Sequence, residues 1–182
     1  LVHLVHGGPV GTFGDGFHFR WNAQLFAAPG YVAAMVNFHG SSSFGQPFVE
    51  SILGAHPDKP FTDVMKATDL LVARGLVDPS RMAAAGGSYG GFLVNWIAGH
   101  TDRFKALVSH AGVYSLLGQW ASDGTFGRQH SDGGYPFTDL PTTERWSPNR
   151  FAAAFETPML ILHGERDYRV PVTQGLELYG GL

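Results

Sequence analysis

Three short stretches carry residue types at spacings that could perform acyl transfer through a serine. The first is Gly86-Gly87-Ser88-Tyr89-Gly90-Gly91, which contains the pattern G-x-S-x-G. A serine hydroxyl at its own pKa is a poor nucleophile and needs an exposed position beside a base. Glycines at 86 and 90 allow a strand-to-helix turn so tight that only a hydrogen fits at the flanking positions. Such a turn lifts Ser88 Oγ above the strand ends. It also turns the first N–H groups of the next helix, that of Tyr89 among them, toward a developing oxyanion. The plain alternative is a glycine-rich turn with an ordinary N-cap serine.

The second stretch is His6-Gly7-Gly8-Pro9, directly after the first apolar run. A tetrahedral intermediate needs two donors, and Gly8 N–H is the expected partner of Tyr89 N–H because a bare backbone lets substrate approach. His6 reads as a structural residue bonded to the loop backbone. The third stretch, His163-Gly164-Glu165-Arg166-Asp167-Tyr168-Arg169-Val170-Pro171, follows the run Met159–Leu162. Asp167 is the expected acid that orients a catalytic histidine, with Glu165 as its competitor. Asp63, Asp69 and Asp102 read as solvated faces or caps.

The base is expected after the acid in chain order, and no histidine follows Asp167. His39, His56, His100, His110, His130 and His163 all precede it, and His110 reads as a satisfied structural residue at a strand end. No H-E-x-x-H spacing is present, so no metal is implied.

The elements that must position these residues alternate. Strands are expected at Leu1–Val5, Tyr31–Phe38, Met82–Ala85, Ala106–Ser109 and Met159–Leu162, apolar runs of the kind covered on both faces. Helices are expected at Phe61–Arg74, with Thr62 as N-cap and Val64, Ala67 and Leu71 on one stripe, and at Tyr89–Gly99. The alternation predicts an α/β fold with a mostly parallel sheet and helices on both faces. Ser115 to Arg150 breaks the rhythm and reads as an excursion that walls a pocket.

A chain of 182 residues fits one domain, and its ordinary apolar content can build one core. A net charge of -3 leaves no basic footprint for nucleic acid. No apolar run is long enough to span a bilayer, and with no cysteine, disulfides and thiolate chemistry are excluded. The opening strand is not a signal peptide, and both ends read as cut from something longer. The compartment, periplasmic or cytoplasmic in a bacterium, stays open, as does the oligomeric state.

The three motifs in this order resemble the prolyl oligopeptidase family of serine peptidases. The likeness extends to Phe13-Gly14-Asp15-Gly16-Phe17-His18, Asn37-Phe38-His39-Gly40-Ser41, Asn95 to Lys105 and Glu144 to Arg150, which look most like the dipeptidyl peptidase V and acylaminoacyl peptidase branch. The resemblance implies an α/β-hydrolase catalytic domain, here residues 1–182, truncated at both ends. An N-terminal β-propeller and the triad histidine are then expected outside it. It implies a peptide substrate, no cofactor, and a pocket for the P1 side chain walled by Val113, Leu116 and Val170 beside Tyr89. These walls offer no counter-charge, so apolar or small P1 residues are expected. Gly54-Ala55-His56-Pro57 and the segment Gly127–Asp139 depart from the family pattern. The expected reaction is release of dipeptides or acylated residues from peptide N-termini. A carboxylesterase on the same fold and a non-catalytic binding domain are the rival readings.

Overall fold

A computed structural model of the chain describes residues 1–124 and 128–182. Gly127, the first residue of the divergent segment Gly127–Asp139, lies outside the described residues. Five strands form one sheet: β1 (Val2–Val5), β2 (Ala33–Ala34), β3 (Ala83–Gly87), β4 (Ala106–His110) and β5 (Met159–Leu162). Their spatial order is β2-β1-β3-β4-β5, and every neighbouring pair is parallel. The helices are α1 (Ala23–Ala27), α2 (Gln46–Glu50), α3 (Asp58–Ala73), α4 (Tyr89–Ala98), α5 (Arg128–Ser131), α6 (Leu140–Arg145) and α7 (Thr173–Gly181). Short 3₁₀ turns at Gly118–Ala121 and Pro148–Ala154 complete the path.

The core sits where α4 crosses the middle of the sheet. Every residue of α4 is buried, and Phe92, Leu93, Val94, Trp96 and Ile97 pack with Val5, Ala84, Phe104 and Leu107. Burial of side chains of this size stabilises by about 1.5–3 kcal/mol each, so the helix that follows Ser88 is the best anchored in the chain.

Several expected boundaries move for physical reasons. β3 runs on to Gly87, because Gly86 and Gly87 still pair with Ser109 and His110 of β4. The expected strand Tyr31–Phe38 pairs only at Val2↔Ala33 and His3↔Ala34. Farther on, the Asn37 side chain replaces the ladder, accepting from Phe13 N–H at 2.8 Å and donating to Phe13 O at 3.0 Å.

α3 starts a turn earlier than expected. Its Pro60 sits in the first turn, where a missing N–H costs nothing. Thr62 caps nothing; its hydroxyl donates to Asp58 O at 3.1 Å. The inner stripe of α3 is Pro60, Val64 and Thr68, with Ala67 and Leu71 at its half-buried border. β5 is not covered on both faces, since Leu160 is 54% and Leu162 46% exposed.

Candidate active site

Ser88 occupies the single residue between β3 and α4 with φ 59° and ψ -120°. For a side chain with a Cβ this is a sparsely populated conformation, held only where the surroundings over-determine it. Here Ser88 N–H donates to His110 O at 2.9 Å, and Ser88 O accepts from Phe92 N–H at 2.9 Å. The flanking glycines are required sterically. A Cβ on Gly86 would lie 2.9 Å from Gly90 Cα, and one on Gly90 would lie 2.9 Å from Val5 C and closer still to Val5 O. The turn is therefore locked against both the end of β1 and the end of β4.

The loop after β1 comes to rest against this turn. A Cβ on Gly7 would lie 3.4 Å from Ser88 Cβ, and Gly8 takes φ 127°. His6 fixes the loop by donating from Nδ1 to Gly7 O at 2.8 Å. Its Nε2 lies 2.9 Å from Ser41 Oγ, and its ring stacks on Phe38 at 4.2 Å. Burial pushes the His6 pKa down, against the opposing pull of its bond to Gly7 O. The expected structural role of His6 has this geometry. Tyr89, the first residue of α4, and Gly8 both line the smaller cavity beside Ser88.

Asp167 sits on the loop after β5. Its Oδ1 accepts from Arg169 N–H at 3.0 Å and Val170 N–H at 2.9 Å, which fixes the carboxylate against its own loop. The same loop is tied down by His163, whose Nε2 donates to Val170 O at 2.7 Å. Asp167 is half-buried and Glu165 exposed. Asp167 and Ser88 line one open cavity of about 1090 Å³, together with Gly8, His110, Trp21 and Arg169. Glu165 does not line it.

His110 departs from its expected role. Among the described residues its ring makes no hydrogen bond. It lies against Gly87, where a Cβ would be 3.2 Å from Nδ1, and faces the cavity near Trp21. Asp63 is not a solvated acid: its Oδ2 lies 2.6 Å from His39 Nδ1 and accepts His39 N–H at 2.7 Å. Asp69 pairs with Arg103 at 2.7 Å on an exposed face.

Val113, Leu116 and Val170 line a second cavity of about 390 Å³ beside Ser88 and Tyr89. The expectation of walls without charge fails. His56, Gln119, Arg128 and Asp132 line it too. The two segments that depart from the family pattern meet here: Gly54 N–H donates to Ser131 O at 2.9 Å, and His56 Nε2 lies 3.6 Å from Asp132 Oδ1. Their departures were visible in the sequence, but their contact depends on a long-range fold. The Tyr89 hydroxyl donates to His56 O, and burial raises its pKa well above the usual value.

The sequence profile described as the prolyl oligopeptidase family matches residues 17–182. The uncharacterized peptidase YuxL of Bacillus subtilis is 40% identical over 98% of this chain and 27% of its own length. Dipeptidyl-peptidase 5 of Porphyromonas gingivalis is 36% identical over 98% of this chain and 27% of its own length. Among solved structures, the acylaminoacyl peptidase of Pyrococcus horikoshii superposes with a TM-score of 0.92 at 30% identity, covering 100% of this chain and 30% of that one. A puromycin-hydrolyzing peptidase of Mycobacterium tuberculosis superposes with a TM-score of 0.88 at 29% identity, covering 100% of this chain and 28% of that one. The chain thus spans about a quarter of the length of the curated relatives it matches. The parallel sheet with its strand–serine–helix turn is that of the α/β-hydrolase peptidases, and the chain belongs to the prolyl oligopeptidase family of serine peptidases.

Proposed function

We propose that this chain is the nucleophile-bearing part of a peptidase that releases dipeptides or acylated residues from peptide N-termini. The observation that carries the reading is Ser88, held at positive φ between β3 and α4 and opening on the same cavity as Asp167. Relatives described as dipeptidyl-peptidase 5 and acylaminoacyl peptidase support the substrate class. One structural relative is an acylaminoacyl peptidase in complex with Z-Gly-Gly-Phe-chloromethyl ketone, a peptide-like compound.

In this mechanism Ser88 Oγ attacks the scissile carbonyl carbon while a base takes its proton. The C–N bond then breaks, the amine leaves with that proton, and water hydrolyses the acyl-serine to free acid and regenerated Ser88. Tyr89 and Gly8 N–H groups stabilise the oxyanion in both steps. Asp167 orients the base through Oδ2, the oxygen its own loop does not use. The base is a histidine contributed from outside residues 1–182, and a β-propeller in the full-length protein restricts access.

The test is to treat the full-length protein with a fluorophosphonate and map the adduct. Labelling at Ser88, abolished by Ser88→Ala, is the expected result; an adduct on any other serine refutes the assignment.

A further inference from the structure

The cavity of about 390 Å³ beside Ser88 is lined by apolar and polar groups together. Val113, Leu116, Phe92 and Val170 supply apolar wall. Among its polar lining residues four buried side-chain atoms lack a hydrogen-bond partner among the described residues: His56 Nδ1, Gln119 Oε1, Arg128 Nε and Asp132 Oδ2. The Asp132 side chain is only 5% exposed, and Gln119 is 2% exposed. Buried polar atoms are satisfied in the great majority of cases, and each exception calls for a specific reason. Four exceptions on one small cavity that opens on the nucleophile point to a polar ligand, and three of them, on Gln119, Arg128 and Asp132, suit a single amide group.

The charges on this lining decide the ligand's class. Arg128 Nη1 lies 3.8 Å from Asp132 Oδ2, so these two formal charges oppose each other, while Arg169, which lines the cavity too, is paired with Asp123 at 3.3 Å. A cationic P1 side chain would meet Arg128, and an anionic one would meet Asp132. A neutral side chain that donates and accepts at once meets neither penalty. We infer that this cavity is the P1 subsite and that it selects a neutral amide-bearing side chain, glutamine, over its apolar and charged isosteres. The amide NH₂ donates to Asp132 Oδ2 and Gln119 Oε1, the amide oxygen accepts from Arg128 Nε–H, and the methylenes lie along Val113 and Leu116. A subsite built to hydrogen-bond its substrate discriminates strongly against an analogue that leaves those groups unpaired. The inference rests on the peptidase reading above and names the substrate of that same site.

The experiment uses the full-length protein and four arylamides that differ only at P1: Ala-Gln-, Ala-Met-, Ala-Glu- and Ala-Lys-p-nitroanilide. The expected kcat/KM for glutamine exceeds that for methionine by about 10- to 100-fold, with glutamate and lysine lower still. In the double variant Arg128→Met, Asp132→Leu the glutamine-to-methionine ratio falls to one or below. The conservative variant Asp132→Asn leaves Arg128 unopposed, so the glutamate-to-glutamine ratio rises. Turnover with a wild-type glutamine-to-methionine ratio at or below one overturns this inference alone, and so does a ratio that survives the double variant. No turnover of any of the four, nor of the acetyl-Gln-, acetyl-Met-, acetyl-Glu- and acetyl-Lys-p-nitroanilides, overturns the peptidase reading and this one together.

Discussion

Ser88 keeps a conformation that costs of order 1–3 kcal/mol for a residue with a Cβ, and contacts from three directions hold it there. Its type and its flanking glycines were legible in the sequence because the turn's geometry is a local, steric property. Asp167 was legible by its place after an apolar run, and its geometry separates it from Glu165 in a way spacing could not. Of these two acids Asp167 lines the cavity with Ser88 and Glu165 does not, and one Asp167 oxygen is committed to the backbone of its own loop. In the full-length protein Asp167→Asn is expected to lower kcat by about 10⁴-fold, the loss seen when a triad aspartate no longer sets the histidine tautomer. Glu165→Gln is expected to have little effect. Arylamidase kinetics on both variants check this, and a larger loss for Glu165→Gln would identify the wrong carboxylate. The polar lining of the small cavity was not legible, because its significance lies in which groups lack partners.

At the scale of elements, β1 is tied to α3 by a buried polar contact that no periodicity reveals. His3 is 1% exposed, with Nε2 2.8 Å from Thr68 Oγ1 on the inner stripe of α3. Thr68 Oγ1 itself donates to Val64 O at 2.8 Å, so His3 Nε2 is the donor in the contact between them. Burial pushes the His3 pKa down to about 4, with the chain's amino terminus and Arg103 adding repulsion. A histidine whose folded pKa lies below its unfolded value near 6.5 binds its proton more tightly when unfolded. Its neutral form therefore supports the fold fully above pH 6.5, and that support is lost as pH falls from 6.5 through 4. The loss amounts to about 3 kcal/mol across that window. Denaturant titrations between pH 7 and 4 are expected to show this decline, and His3→Gln should flatten it while lowering stability at pH 7. An unchanged slope in the variant would assign the acid sensitivity to other groups. The strands that frame this contact were readable as apolar runs. Pairing limits were not, since they depend on which groups each strand meets: β2 keeps two residues because beyond them the Asn37 side chain bonds to the Phe13 backbone.

Taken as a whole, the molecule has a well-filled centre and an open flank. β5 pairs with β4 alone, and Leu160 and Leu162 stand exposed on it. Next to this strand α7 exposes Leu176 and Tyr179, and Leu182 follows. A strand edge with exposed apolar side chains is a template for pairing with another chain, and exposed apolar surface near it favours association. The 182-residue chain produced alone is therefore expected to self-associate, visible as a concentration-dependent rise in scattering. It is also expected to hydrolyse arylamides weakly at best. Among the described residues neither Ser88 Oγ nor the Asp167 carboxylate is hydrogen-bonded to a histidine, so the hydroxyl has no base to take its proton. The oxyanion donors alone leave roughly 10³-fold over water. The comparison is between this chain and the full-length protein, each with and without Ser88→Ala. A much higher Ser88-dependent rate in the longer protein is the expected outcome. Equal rates, lost in both Ser88→Ala variants, would mean that a histidine within residues 1–182 is the base. His110, which shares the cavity with Ser88 and Asp167 and makes no ring hydrogen bond among the described residues, would then be the residue to replace first.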